Sequence, residues 1–482
     1  MHLEEGETFM RSKWLLIGIF PLLFCLFLSG ACSKHHTGNK VSAEEAFSAR
    51  IILPADSMNI TEGQSVNFEG TAVNGTVPYT YQWTFGGGAS DSKEQNPGLV
   101  TFNTRGTYTV TLVVKDSKNA AASETRVISV RSPGAKNQLL VSASANHSLA
   151  IKPDGTLWSW GYNFNGQLGD GTWSNRNTPI KIGTDQDWVA VSAGYGFSLA
   201  LKSDGTLWAW GSSTALGTGS YSDSNIPTQI GSETDWVSMS AGDGFTLALK
   251  SDRSLWAWGD NSSGQLGDGS QDGKMTPVPI GTDKNWVSVS AGVNHSAALK
   301  SDGTLWEWGS KYNAAAGYYQ WLFDSVPVQV GADRDWIAVN TSGDHTLAIK
   351  SDGSLWSWGN NEFGQLGYNN FISQDTPTQV TFPGTWVAVC ASDDYSLAVK
   401  NDGTLWAWGN NYYGQLGDGT KADKLIPTQV GFDKDWVMAS SFYHNTIAYK
   451  TDSSIWTWGA NWEGQLGNGT NTDMNVPGKI IF

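Results

Sequence analysis

Cysteine is scarce in this chain, with three in 482 residues: Cys25, Cys32 and Cys390. Cys25 and Cys32 fall in an N-terminal segment that reads as a targeting signal. The mature chain can therefore hold no internal disulfide framework. Cys390 lies on an apolar stretch and reads as a small core residue rather than a nucleophile. Positive charge is short as well: 30 Lys and Arg stand against 45 Asp and Glu, a net charge of −15. No basic stripe is present to follow a phosphate backbone, which argues against nucleic-acid binding. The seven histidines show no metal-ligand spacing. No nucleophile is paired with a base, and no Gly-rich phosphate loop appears, so neither an enzyme nor a metal or cofactor site is expected. Helical periodicity is missing throughout residues 50–482, which points to an all-β chain.

One long apolar run exists, from Trp14 to Leu28. Arg11 and Lys13 precede it and small residues follow, so residues 1–32 read as a signal peptide. Glu4, Glu5 and Glu7 do not suit a basic n-region, which suggests a true start at Met10. The ending Leu28-Ser29-Gly30-Ala31-Cys32 resembles a bacterial lipoprotein cleavage box, although Ser29 stands where Leu is usual. That resemblance implies a lipid-modified Cys32 and a protein anchored in the bacterial cell envelope, at the outer membrane or cell surface. An ordinary cleaved signal peptide, giving a secreted protein, is the alternative. Residues 33–49 are polar, lack a period and read as a flexible tether. His35 and His36 in it read as solvated.

What the chain has in abundance is tryptophan, and most of it is periodic. The phrase Trp-x-Trp-Gly starts at Trp158, Trp208, Trp256, Trp306, Trp356, Trp406 and Trp456, in steps of 48 or 50 residues. Such a period marks a repeat architecture. Each unit reads as four strands: WVAVSA from Trp188, SLALK from Ser198, LWAW from Leu207 and PTQI from Pro227. Val189, Val191 and Ala193 are expected on one face of the first. Asp-Gly between the second and third strands signals a hairpin. Four strands per unit, repeated seven times, predict a seven-bladed β-propeller over residues 138–482. Ser288, Ser290 and Ala291 suit crowding near the axis, and the Trp pairs suit the gaps between blades. Of the 25 Trp, 14 lie in pairs and six begin a first strand, so the excess is framework rather than binding surface. The ring is expected to close by joining terminal segments; whether one blade mixes N- and C-terminal strands stays open.

The pattern Gly-x-x-His-Ser-Leu-Ala-Leu, Asp-Gly-x-Leu-Trp-x-Trp-Gly and Gly-Gln-Leu-Gly resembles the regulator of chromosome condensation repeat family, over about Leu139 to Phe482. The resemblance implies a seven-bladed propeller. It does not fix a function, because the family includes an exchange factor, a plant UV-B photoreceptor and a secreted β-lactamase inhibitor. The photoreceptor role is disfavoured because the first-strand loops carry no Trp. Exchange and chromatin binding are opposed by the acidic balance and the export signal.

Residues 50–132 show six strand candidates divided by turn residues: RIILP, SVNFEGTAV, YTYQWTF, GLVTFN, YTVTLVVKD and ETRVISV. They predict a small β-sandwich. Tyr81-Gln82-Trp83-Thr84-Phe85-Gly86 and Gly106-Thr107-Tyr108-Thr109-Val110-Thr111-Leu112 resemble the polycystic kidney disease (PKD) domain, an immunoglobulin-like fold. Thr84 and Gly87 replace the Asp residues usual there. Trp83 and Tyr108 read as core. Arg131 to Asn137 reads as a linker.

In a four-stranded meander the loops after strands one and three emerge on one face, and the hairpins and inter-blade links on the other. The hairpin face carries Asp154, Asp204, Asp302, Asp352 and Asp402, with Asp187, Asp235, Asp335 and Asp435. These read as turn chemistry; a calcium loop is only weakly signalled. The other face varies, and its variation is aromatic: Phe164, Trp173, Phe363, Tyr412, Tyr413 and Trp462, with Tyr312, Tyr318, Tyr319, Trp321 and Phe323 in the irregular fourth repeat. Exposed Tyr and Trp on rigid loops are what protein hot spots use. His147, His295, His345 and His444 occupy loop positions that hold Phe197, Phe245 or Tyr395 elsewhere, so they read as packing or hydrogen-bonding residues. The expected function is a non-enzymatic, envelope-anchored binding protein, monomeric, with a protein ligand on the aromatic face. A glycan- or matrix-binding adhesin is the alternative, and a hydrolase accessory role a remote one.

Overall fold

The computed structural model describes residues 47–54, 58–61, 63–103, 106–131, 141–311 and 322–482. Cys32 and most of the tether lie outside these. Within them every element is a β-strand except one turn of 3-10 helix at Ser213–Ala215. The tether's last two residues already belong to the first strand.

The N-terminal unit has seven strands: β1 (Ser48–Leu53), β2 (Met58–Thr61), β3 (Ser65–Val73), β4 (Thr80–Thr84), β5 (Gly98–Thr101), β6 (Gly106–Lys115) and β7 (Ala121–Arg131). They form two sheets, β1-β3-β5 and β2-β7-β6-β4. The strand that sequence reading missed, β2, is four residues long and pairs parallel to β7. It is too short to display a period. Alternation in β3 turns Val66 and Phe68 inward. Trp83 is fully buried, lies parallel to Phe85 at 6.2 Å and meets Phe68 edge-on at 5.6 Å. Its indole N–H donates to the Gln95 carbonyl at 3.3 Å. Tyr108 is half-buried against Phe102.

Residues 141–482 build seven four-stranded antiparallel sheets, hereafter blades 1 to 7. Their first strands begin at Val141, Trp188, Trp236, Trp286, Trp336, Trp386 and Trp436. Each blade comes from one contiguous segment, so no blade mixes the two ends of the chain. Blade 7 packs directly on blade 1 through Val141, Ala143, Trp160, Ile447, Ile455 and Ile480. The first strands carry a bulge just after their opening Trp, as between Trp188 and Ala190. It breaks the expected alternation and turns the bulged residue outward, as Ile337 and Val387 show at 54% and 52% exposure.

The two tryptophans of each pair differ in role. The second is buried between blades, and in every blade but the fifth its indole N–H donates to a backbone carbonyl of the preceding blade. Trp210 bonds the Gln167 carbonyl at 2.8 Å, Trp308 that of Gln265 at 2.8 Å and Trp458 that of Gln415 at 2.8 Å. Trp160 closes the ring by bonding the Gln465 carbonyl at 2.8 Å. The glycine ending Gly-Gln-Leu-Gly is required here. A Cβ on Gly169 would stand 2.7 Å from the Trp210 indole nitrogen. The first tryptophan of each pair is half-buried and bonds the hairpin hydroxyl, as Trp208 does Thr206 at 2.9 Å. Beside it a Lys ammonium sits over two rings: Lys202 lies 4.8 Å from the Trp188 centroid and 4.9 Å from that of Trp208.

Blade 4 lacks Gly-Gln-Leu-Gly, and a carboxylate takes over. Glu307 accepts from the Trp358 indole, 3.1 Å to each oxygen, and from the Thr346 hydroxyl at 2.8 Å.

Around the axis, first-strand serines pass a hydroxyl to the next blade's backbone. Ser142 accepts from the Ala193 N–H at 2.9 Å, Ser192 from Ala241 at 2.9 Å, Ser240 from Ala291 at 2.9 Å and Ser290 from Thr341 at 2.9 Å. Asn340 does the same to Ala391 at 2.7 Å, and Ser440 to Ala143 at 3.2 Å. Cys390 takes the remaining place, its Sγ 3.2 Å from the Ser441 hydroxyl. These small residues are a hydrogen-bonded girdle as well as a fit to crowding. Burial pushes the Cys390 thiol pKa up.

Candidate functional site

The antiparallel order puts the loops after strands one and three on one face. The hairpin face is self-contained. Asp154, Asp204, Asp302 and Asp402 each accept from the Thr two residues on, at 2.6–2.7 Å. Asp187, Asp335 and Asp435 pair with the ammonium groups of Lys202, Lys350 and Lys450, and Asp235 with Lys250. These carboxylates are turn and seam chemistry.

On the opposite face an asparagine pins the loop after strand three in blades 1, 3, 5, 6 and 7. Asn411 donates to the Thr420 and Ala422 carbonyls at 3.2 and 3.1 Å and accepts from the Leu416 N–H at 3.0 Å. The two residues after it are thereby fixed. The first points out: Phe164 is 66% exposed, Tyr412 69% and Trp462 45%. The second is half-buried, which places Phe363 and Tyr413 lower. The same asparagine grips the backbone on both sides of one further residue. In blade 1 that is Trp173, gripped by Asn163 through the Thr172 and Ser174 carbonyls. In blade 5 it is Phe371, which sequence reading missed and which is 59% exposed. Counting ten residues from Asn361 finds it.

Phe323 proves to lie in a strand. Strands Leu305–Lys311 and Leu322–Gln329 run two residues further than in the other blades, and Phe323 pairs with Ser310 there, half-exposed. Tyr312, Tyr318, Tyr319 and Trp321 lie outside the described residues.

The structure brings Tyr412, Tyr413 and Trp462 together across the blade 6–7 boundary. Tyr413 sits 4.8 Å from Tyr412 and 4.7 Å from Trp462, both edge-on. His444 joins them, 4.9 Å from Tyr413. Its place differs from that of the other histidines. His147 and His345 open strand two and bridge blades, bonding the Ser198 and Ser396 hydroxyls at 2.8 and 2.9 Å. Tyr395 does the same to Thr446 at 2.8 Å, so the hydrogen-bonding role holds for that position. In blade 7 Asn445 occupies it, and His444 is in the turn before it. Tyr443, beside His444, has φ of 63°, a left-handed conformation that bulky residues rarely adopt. Its ring lies 5.9 Å from Tyr195 of blade 2, and its phenol faces Asp243 of blade 3. The aromatic arc thus runs from blade 6 to blade 2 around the channel mouth. Phe164 stands on its outer side, 4.9 Å from Tyr162.

An acidic arc completes the mouth. Asp243, Asp344, Asp393 and Asp394 come from the first loops of blades 3, 5 and 6 and are half-buried. Burial, then the Asp393 and Glu362 charges, pushes the Asp344 pKa up to about 6. Burial, then the charges of Asp393, Asp344, Glu362 and Asp423, pushes Asp394 up to about 7. Asp393 and Asp243 are raised too, mainly by burial. Among the described residues no three His, Cys, Asp or Glu converge to hold a metal ion.

Comparison with known families agrees with this architecture. The model described as the RCC1-like domain matches residues 275–481, and the regulator of chromosome condensation (RCC1) repeat matches 154–201 and 204–249. A second RCC1 repeat model matches 140–167, 188–215 and 236–265. The chain belongs to the RCC1 repeat family. The PKD domain model matches residues 51–131. Among solved structures, the RCC1-type propeller is similar to human WBSCR16, at 22% identity and TM-score 0.60, covering 68% of this chain and 95% of that one. It is also similar to Prp20p from Saccharomyces cerevisiae, at 22% identity and TM-score 0.61, covering 69% and 87%. Yeast RCC1 (Prp20) bound by Kap60 gives 22% identity and TM-score 0.61, covering 72% and 86%. At these identities the likeness is one of fold.

Proposed function

We propose that this protein is a non-enzymatic binding protein that engages another protein through the aromatic face of its propeller, while Cys32 tethers it to the cell envelope. The observation that carries the reading is the division of the aromatic residues. Rings repeated in every blade are buried or half-buried in the seams. Of the rings that differ between blades, Phe164, Trp173, Phe371, Tyr412 and Trp462 are exposed on one face, on loops whose backbones are fixed by internal hydrogen bonds, against Phe432 on the other. Rigid, exposed Tyr and Trp cost little conformational entropy on binding and bury large areas. The yeast neighbour Prp20p has binding properties toward Gsp1p and histones, which fits a protein-binding use of the fold.

The test compares wild-type protein with a Tyr412→Ala/Tyr413→Ala/Trp462→Ala variant in two arms, affinity capture from envelope fractions and a glycan array. Loss of a discrete protein ligand in the first arm supports the reading. Sugar binding lost in the second selects the adhesin instead. A ligand retained by the variant places the site elsewhere. Mass spectrometry of the mature N-terminus tests the tether: an unmodified Cys32 removes it.

A further inference from the structure

If this face binds a protein, the carboxylates at its mouth specify the chemistry of that partner. Several carboxylates elsewhere in the propeller have a cationic partner. Asp170 pairs with Arg176, Asp268 with Lys274, Asp418 with Lys424 and Asp283 with Lys300. Asp243, Asp344, Asp393 and Asp394 form no ion pair with any Lys or Arg among the described residues. They are half-buried and crowded. A Cβ on Gly343, just before Asp344, would stand 2.6 Å from an Asp393 carboxylate oxygen. Burial and mutual repulsion make ionisation costly until an opposite charge arrives.

A metal ion is one source of that charge, but the carboxylates spread over three blades and do not converge on one point. Long cationic side chains suit such a spread better. The neighbouring surface suits the rest of a protein loop. Tyr412 and Trp462 are exposed on fixed backbone, and Tyr443 is held in a strained conformation at the junction of the two arcs. Strain of this kind, of order 1–3 kcal/mol, persists only where surroundings impose it and concentrates at functional sites. Aromatic faces also attract cations directly.

We propose that the channel mouth receives a cationic loop of the partner protein, with an arginine or lysine entering among Asp344, Asp393 and Asp394 and adjacent apolar side chains lying on Tyr412 and Trp462.

The test pans the full-length protein against disulfide-closed cyclic peptides displayed on phage, at physiological ionic strength and mildly alkaline pH. Selected peptides are then titrated calorimetrically against wild type, Asp344→Asn/Asp393→Asn/Asp394→Asn and Tyr412→Ala/Trp462→Ala. The triple amide variant relieves like-charge repulsion, so folding is retained. The expected result is enrichment of Arg- or Lys-bearing loops whose affinity falls at least about tenfold on the amide variant and weakens with added salt. Enrichment of neutral or acidic loops overturns the proposal, as does failure to enrich any cationic loop over the amide variant. Binding that requires added calcium overturns it as well. Peptides lost on Tyr412→Ala/Trp462→Ala but indifferent to the amides leave the protein-binding face standing and remove only its cationic partner. Indifference to both sets of changes removes both.

Discussion

Glu307 offers a sharp test of how the ring holds together where its repeat fails. In five seams the buried indole bonds a glutamine carbonyl, which no side-chain substitution can remove. Between blades 4 and 5 the acceptor is a side chain, Glu307, 6% exposed, facing Trp358, 5% exposed. Glu307→Ala strands the Trp358 indole N–H, while the Thr346 hydroxyl loses its shortest bond but keeps Thr341 at 3.3 Å. A stranded donor costs about 1–3 kcal/mol and a lost bond about 1 kcal/mol, so the loss is about 2–4 kcal/mol. Glu307→Gln keeps an acceptor oxygen in place and should recover most of that. Gln265→Ala, in the regular seam, keeps its carbonyl and loses only the bond from the Ser263 N–H and one to Asp260, about 1–2 kcal/mol. Urea unfolding followed by near-UV circular dichroism orders the three. A Glu307→Ala protein as stable as Glu307→Gln refutes the assigned acceptor role.

Other consequences follow from the same geometry. Trp462→Ala should leave the unfolding midpoint nearly unchanged, whereas Trp408→Ala, fully buried, should lose about 3–5 kcal/mol; parallel urea titrations check both. Tyr443→Gly removes the left-handed strain, so its stability should stay within about 1 kcal/mol of wild type even though ring contacts are lost, while peptide affinity falls. Burial holds the pKa of His147 and His345 down at about 3, below their ordinary value. Their contribution is therefore full above about pH 6.5 and fades as pH falls, by about 2 kcal/mol each at about pH 5. His147→Phe, copying Phe197, should flatten that acid limb in denaturation series. Asp344 and Asp394 act in the opposite sense. Their raised pKa values favour the folded state at low pH, and that contribution is lost as pH rises through about 6 to 7. Asp394→Asn should thus gain stability over wild type at about pH 8 and match it near pH 4.

The sevenfold ring was legible because each blade repeats the same large buried rings at one spacing, and tryptophan burial leaves few alternatives. The sandwich was legible from its alternation, apart from β2, which is too short to alternate. What escaped was whatever depends on contact between blades. The girdle serines looked merely small, since a hydroxyl aimed at a neighbour's backbone has no sequence signature. Glu307 bonds Thr346 and Trp358, 39 and 51 positions further on, contacts that no local pattern announces. The acidic mouth escaped because Asp243, Asp344 and Asp393 lie in separate repeats and meet only when the ring closes. His444 was aligned with the wrong partners because Asn445, which holds the shared position in blade 7, is not a ring. Phe164, Trp173, Tyr412 and Trp462 were read as outward-facing and are exposed, but Phe371 and the pairing across blades 6 and 7 were missed.

The division between a working face and a structural one is tested most directly by a photo-reactive benzoylphenylalanine placed at Tyr412, at Trp462 and, on the hairpin side, at Phe432, which is 94% exposed. Irradiation in the producing cells should join one discrete protein to positions 412 and 462 and none to 432. The same adduct at all three positions, or an adduct at 432 alone, would contradict the account.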